Sequence, residues 1–150
     1  FIRLGTMLER ADSTARLLEA KNRLLDADED PVREYYRMDT LLRAVSAREA
    51  FHSLYKQQLS RESIADLLIL RRELPRSLLA CVEVITEQLE LIGGIAGNQP
   101  RRRAHTLHTQ LRFSTLDEIL ELGLSDWLND FLSQTNGIAE SVHHTYLEAQ

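Results

Sequence analysis

Five residues in the stretch MLERADSTARLL, Met7 to Leu18, carry groups able to bind anions or move protons: Glu9, Arg10, Asp12, Thr14 and Arg16. Carboxylates serve as general acids and bases, and guanidinium groups hold carboxylate or phosphate in a two-pronged grip. The spacing is helical. At about 100° per residue, Glu9, Asp12, Arg16 and Glu19 fall opposite the leucine stripe, on the side expected to face solvent. Asp12 and Arg16 form an acid-before-base pair four residues apart, worth about 0.2–0.5 kcal/mol in an isolated helix. Arg10 and Thr14 flank the stripe and are expected to be carried partly inside, where an arginine needs carboxylate partners. Asp39 and Arg43, also four apart, border the stripe of a second helix. Packing the two helices together predicts an Arg10–Asp39–Arg43 network, either structural or ligand-binding.

Other reactive groups are sparser. Glu-x-x-His occurs twice, as Glu49–His52 and Glu140–His143, and paired copies of that spacing build di-metal centres when they point into a helical bundle. Here the helical wheel turns Glu49, His52 and Glu140 away from the apolar residues beside them, so no metal site is expected. His105 and His108 could supply two zinc ligands from one helix, but no companion pair is evident. His143 and His144 project in different directions and read as surface residues. Ser77 in PRS has no identifiable base. No phosphate-binding loop, nucleophile elbow or dinucleotide fingerprint is present.

Helices must position these groups, because helical periodicity runs from end to end and no alternating strand pattern appears. Leu4, Leu8, Ala11, Ala15, Leu18 and Leu25 make the first stripe, with Asn22 in one core-like slot, and DADEDP (Asp26 to Pro31) ends it. A second helix is expected from about Arg33 to Val45, burying Tyr35, Met38, Leu42 and Val45. Ser46 and Glu49 have the spacing of a capping box for a third helix running to about Gln57. Ser60 caps a fourth, whose IADLLIL is apolar nearly all round. Pro75 suits the first turn of a fifth, with the stripe Leu78, Val82, Ile85, Leu89 and Ile92 and Cys81 at its edge. GGIAGNQP, Gly93 to Pro100, is the clearest flexible connection. Helix resumes from Arg101 to about Phe113, Ser114 and Asp117 resemble a cap, Gly123 ends a short helix, and a last helix spans about Leu124 to Leu147. The sequence therefore predicts an all-α bundle of six or seven helices forming one domain over residues 1–150.

Composition narrows the function classes. A chain of 150 residues is long enough to bury about 68–70% of its unfolded surface in one core. A net charge of −5 provides no general attraction for nucleic acid, and the local run Arg101 to Arg103 reads as an exposed helix start. Cys81 is the single cysteine, which excludes an internal disulfide and fits a small buried hydrophobe. No apolar run approaches a membrane span and no signal peptide is evident, so a cytoplasmic location is expected. A chain beginning at Phe1 is expected to be processed, trimmed or cut from something longer.

FIRLGTMLERADSTARLL resembles the signature of the bacterial alpha-E domain family, helical proteins of unknown function. The resemblance continues through LLRAVSAREAF, LLILRRELPRSLLACVEVI and FSTLDEILELGLSDWLNDFLSQTNGIAES. It implies that this chain corresponds to the second half of a duplicated domain. It also implies an association with ATP-grasp and transglutaminase-like proteins in a peptide-modifying or amide-forming system. Carried over by position, the motif residues are Glu9, Arg10, Asp12, Thr14 and Arg16, then Arg43 and Ser46, then Pro75, Arg76 and Ser77. Arg71 departs from the pattern, since the resemblance implies an acid after the apolar run. If half a domain is present, its exposed stripes call for a second copy, so a homodimer is expected. The leading expectation is a non-catalytic module that binds or positions an ATP-grasp ligase or a peptide partner. It needs no cofactor, no nucleic acid and no membrane. The alternative is an enzyme, or half of one, in which Arg10, Arg43 and Arg76 bind a carboxylate or phosphate while Glu9 or Asp39 moves protons. The two differ in geometry: an enzyme gathers these side chains around an open pocket, whereas a scaffold leaves them paired, buried or scattered.

Overall fold

The computed structural model describes residues 1–26, 30–56, 59–94 and 98–148, with the side chains of all but 23–26. Its described elements are α1 (Ile2–Asp26), α2 (Pro31–Ala44), α3 (Arg48–Leu54), α4 (Arg61–Leu70), α5 (Leu78–Ile92), α6 (Asn98–Phe113), α7 (Leu116–Leu122) and α8 (Leu124–Val142), followed by a wider π-helical turn over His143–Glu148. The chain is all-α, as expected, and its eight α-helices among the described residues are close to the six or seven expected. The Leu25 side chain, the acidic run at 27–29 and Gln57 lie outside the described residues.

Four long helices make a square. α1 packs against α5 and α8, and α6 packs against the same two from the opposite corner. α2 and α4 close over α1, and α7 bridges α4 and α8. Ala11 and Ala15 are fully buried, and their small side chains let neighbouring helices approach α1 closely. Leu4, Leu18, Leu78, Ile85, Leu89, Leu107, Phe131 and Ile138 fill the interior, each complete side-chain burial contributing about 1.5–3 kcal/mol relative to exposure. α4 supplies Ile64, Ala65, Leu67, Leu68 and Ile69, all buried, as its nearly continuous apolar circumference demands.

Helix ends explain several departures from the sequence reading. Tyr35 is exposed and meets Tyr36 edge-on; α2 buries only its second half, through Met38, Asp39, Leu41 and Leu42. Ser46 does not cap α3. It sits at φ 55°, in the left-handed conformation that closes α2, and the next amide, Ala47 N–H, donates back to the Leu42 carbonyl at 2.8 Å. Helices commonly end this way, usually with glycine at that position. Pro75 lies in the turn before α5, not in its first turn, because Ser77 provides the cap. Asn98, three residues earlier than expected, begins α6. Thr115, not Ser114, caps α7 by accepting from Glu118 N–H at 3.3 Å. α8 ends at Val142, earlier than expected, where the π-helical turn takes over.

Candidate functional site

The polar residues of α1 separate by depth. Glu9 and Arg16 are exposed, Asp12 and Arg10 are half-buried, and Thr14 is buried. Arg16 donates through Nε to Asp12 Oδ2 at 2.8 Å, the helical pair expected from the spacing. Glu19 departs from its expected solvated position: it is buried and accepts from the Ser125 hydroxyl of α8 at 2.7 Å. The long bundle helices pack along two faces of α1, which leaves less of its circumference for water than one stripe would.

Thr14 lies where the first and third motifs meet. Its hydroxyl donates to the Arg76 carbonyl at 3.0 Å, tying the middle of α1 to the turn that launches α5. One residue on, the fully buried Ser77 hydroxyl accepts from Ala80 N–H at 3.1 Å. This is the N-cap role for which serine is favoured, since it satisfies an amide that the helix itself leaves without a partner. Cys81 lies just beyond, completely buried, its Sγ 3.6 Å from the Pro75 carbonyl. Burial pushes the thiol up to about 11, against the downward pull of Arg10 and Arg76 nearby. The thiol therefore remains protonated at neutral pH and is no nucleophile.

Asp39 follows a different course from the expected three-residue network. It pairs with Arg43 at 3.0 Å and with Arg48 of α3 at 3.3 Å. The second arginine is thus Arg48 and not Arg10, and the pairing straps α3 onto α2 across the Ser46 turn. The Arg48 contact is close enough for charge attraction, yet Asp39 Oδ1 has no aligned donor. Arg43 is exposed and Ser46 makes no cap. Arg71, where the resemblance implied an acid, also has a structural partner set. It donates to Asp66 Oδ2 and Tyr55 Oη, each at 3.0 Å, and lies over the Tyr55 ring. The Tyr55 hydroxyl donates to Asp66, and burial together with that hydrogen bond pushes it up to about 12.

Two of the concave surfaces among the described residues carry the carboxylates and histidines singled out in the sequence. A groove of about 330 Å³ between α1 and α8 is lined by Glu9, Asp12 and Ser13 on one side and Thr135, Asn136 and Ala139 on the other. A larger one, about 840 Å³, runs between α5 and α6 past Arg72, Glu83, Glu87, Glu90, His105, His108 and Arg112. In it His105 meets Glu90 at 2.7 Å and His108 meets Glu83 at 3.3 Å. The His105 hydrogen bond holds the Glu90 carboxyl below the usual carboxylate range. The companions that the histidines lacked in sequence are these two glutamates, placed opposite them by antiparallel packing, and only the fold reveals them. Among the described residues no group of three or more metal-ligating side chains converges. Glu49, His52, Glu140 and His143 all face outward.

The candidate residues therefore gather only in part. Arg10 and Arg76 each lie within electrostatic reach of Cys81, Asp39 pairs with Arg43 and reaches Arg48 of α3, and none of Arg10, Arg43 and Arg76 lines either groove. Of the candidate acids, Glu9 and Asp12 line the α1–α8 groove and Asp39 lines neither. The third arginine of the RRR run, Arg103, is exposed and lays its guanidinium 2.8 Å from where a side chain at Gly137 would begin. No helix among the described residues is long and apolar enough to cross a membrane. The model of a family described as a predicted alpha-helical domain with a conserved ER motif, Alpha-E, matches residues 1–147. Glu9–Arg10 is the one Glu-Arg dipeptide in the chain. No curated protein and no solved structure matches it.

Proposed function

The chain belongs to the Alpha-E family, and from that premise we propose that it is a non-catalytic helical module that binds or positions a partner. The observation that carries this reading is the joint between α1 and the start of α5. There the hydroxyls of Thr14 and Ser77 are both engaged in holding the fold. An enzyme using Arg10, Arg43 and Arg76 would need them around one open cleft with a base of matched pKa. The arginines instead lie apart from the two grooves, and the nearest thiol is held protonated.

The partner is an ATP-grasp ligase or its peptide substrate, the association that the family resemblance implies, and the system is peptide-modifying or amide-forming. Glu9 on the rim of the α1–α8 groove and Arg76 on the surface offer charged contacts that the fold does not require. Titration calorimetry of the chain against a purified ATP-grasp ligase, and separately against its peptide substrate, tests the reading. Binding at about 10 μM or tighter is expected for one of them, with Glu9→Lys or Arg76→Glu weakening it about tenfold and leaving thermal unfolding unchanged. Absence of binding to both at about 100 μM, or turnover of the peptide by this chain alone, overturns it.

A further inference from the structure

The α5–α6 groove lies on an outer edge of the four-helix square, lined by those two helices and by Arg72 from the preceding turn. Most of its charges are already matched. Glu83 is held by Arg72 at 2.5 Å and by His108 at 3.3 Å, and Glu90 by His105 at 2.7 Å. Two charges are left over. Glu87 and Arg112 are both exposed, and neither forms an ion pair among the described residues; Arg112 only lies over the ring of its neighbour Phe113, at 5.6 Å.

Their placement decides what fits. Glu83 and His108 mark one level of the antiparallel pair. Glu87 lies four residues along α5 from that level, and Arg112 four residues along α6 in the opposite sense. The two unmatched charges therefore straddle the Glu83–His108 pair, about one turn to either side and about 12 Å apart along the helix axes. One acid and one base so arranged are self-complementary. A two-fold axis lying in the face and bisecting the line between them sets each copy's Glu87 against the other copy's Arg112, so one contact is made twice. Leu91, on the same groove and 78% exposed, supplies an apolar side chain for such a contact to cover.

We propose that the α5–α6 groove is the docking face for a second copy of this chain, paired through two reciprocal Glu87–Arg112 contacts. Opposite charges placed in this way set orientation and reject misaligned docking. The proposal is separate from the partner-binding reading, which concerns other residues and stands or falls by the calorimetry.

Sedimentation velocity of the full chain tests it, with circular dichroism to verify that each variant is folded; both positions are exposed, so the bundle should tolerate charge reversal. The unmodified chain should dimerise. Glu87→Arg alone and Arg112→Glu alone should each weaken the dimer at least tenfold, because each opposes like charges twice. An equimolar mixture of the two variants should recover the dimer, since every contact is then again between opposite charges. A monomer at about 100 μM, a dimer unaffected by either reversal, or a mixture that remains monomeric overturns the proposal, whatever other protein is found on the groove.

Discussion

Replacing Ser77 with alanine removes one oxygen atom and changes nothing else in composition, so its cost isolates the cap that starts α5. The hydroxyl is fully buried and accepts from Ala80 N–H at 3.1 Å, and Ala80 is itself buried. Loss of an N-cap costs about 0.5–2 kcal/mol, and a buried amide left without a partner costs about 1–3 kcal/mol. The two figures describe the same missing bond, so they are not summed. Their overlap gives about 1–2 kcal/mol for Ser77→Ala. For a domain of this size each kcal/mol lowers Tm by about 2–4 °C, predicting a drop of about 2–8 °C. Urea unfolding should show a lower midpoint with an unchanged slope, because the folded state is destabilised without altering how much surface unfolding exposes. A variant within about 0.3 kcal/mol of the parent, below the range for replacing such a cap with alanine, would refute the assignment of this serine to the fold and make it a reactive candidate again.

Three further outcomes are expected. Ser46→Gly should stabilise the chain by about 0.5–1 kcal/mol in the same urea assay, since glycine accepts the φ of 55° without the left-handed penalty of about 1–2 kcal/mol and gives back part of that in backbone entropy; a loss of stability would show that the serine side chain makes a contact there. Tyr55, pushed up to about 12 from an ordinary 10.0, should ionise late in an ultraviolet titration, and Tyr55→Phe should remove that late step. The stability it carries is fully present below pH 10 and lost as pH rises towards 12, because the unfolded chain releases that proton first; ionisation of Tyr55 near 10 contradicts the burial and the Asp66 hydrogen bond. Cys81, with its thiol near 11, should leave only about a thousandth of its population as thiolate at pH 8, so a disulfide reagent should label it in urea and not in the native chain; rapid native labelling refutes its burial.

The helices were legible because each must bury a stripe, and a stripe at helical spacing is a local property of the sequence. Leu4, Ala11, Ala15 and Leu18 on α1, and Leu78, Val82, Ile85 and Leu89 on α5, lie in the core where their spacing puts them. Thr14 was legible for the same reason: a hydroxyl beside a stripe is carried inward. What failed depended on neighbours distant in sequence. Glu19 looks solvated until α8 brings Ser125 against it, and Tyr35 looks buried until α2 proves to pack by one half alone. Arg48 lay within reach of Asp39 only after the Ser46 turn folded α3 back. Ser46 and Glu49 have the spacing of a cap, yet the same serine was needed to end the preceding helix. The grooves were invisible for a similar reason, since Glu83 and Glu90 stand opposite His108 and His105 only through the antiparallel packing of α5 on α6.

Thr14→Val offers the most direct test of the claim that the motif groups hold a joint and do not react. Valine keeps the volume of threonine while removing the hydrogen bond to the Arg76 carbonyl. Urea unfolding should show a loss of about 1 kcal/mol, with partner binding by the folded variant unchanged. Stability equal to the parent's, together with lost binding or lost turnover, would contradict the account.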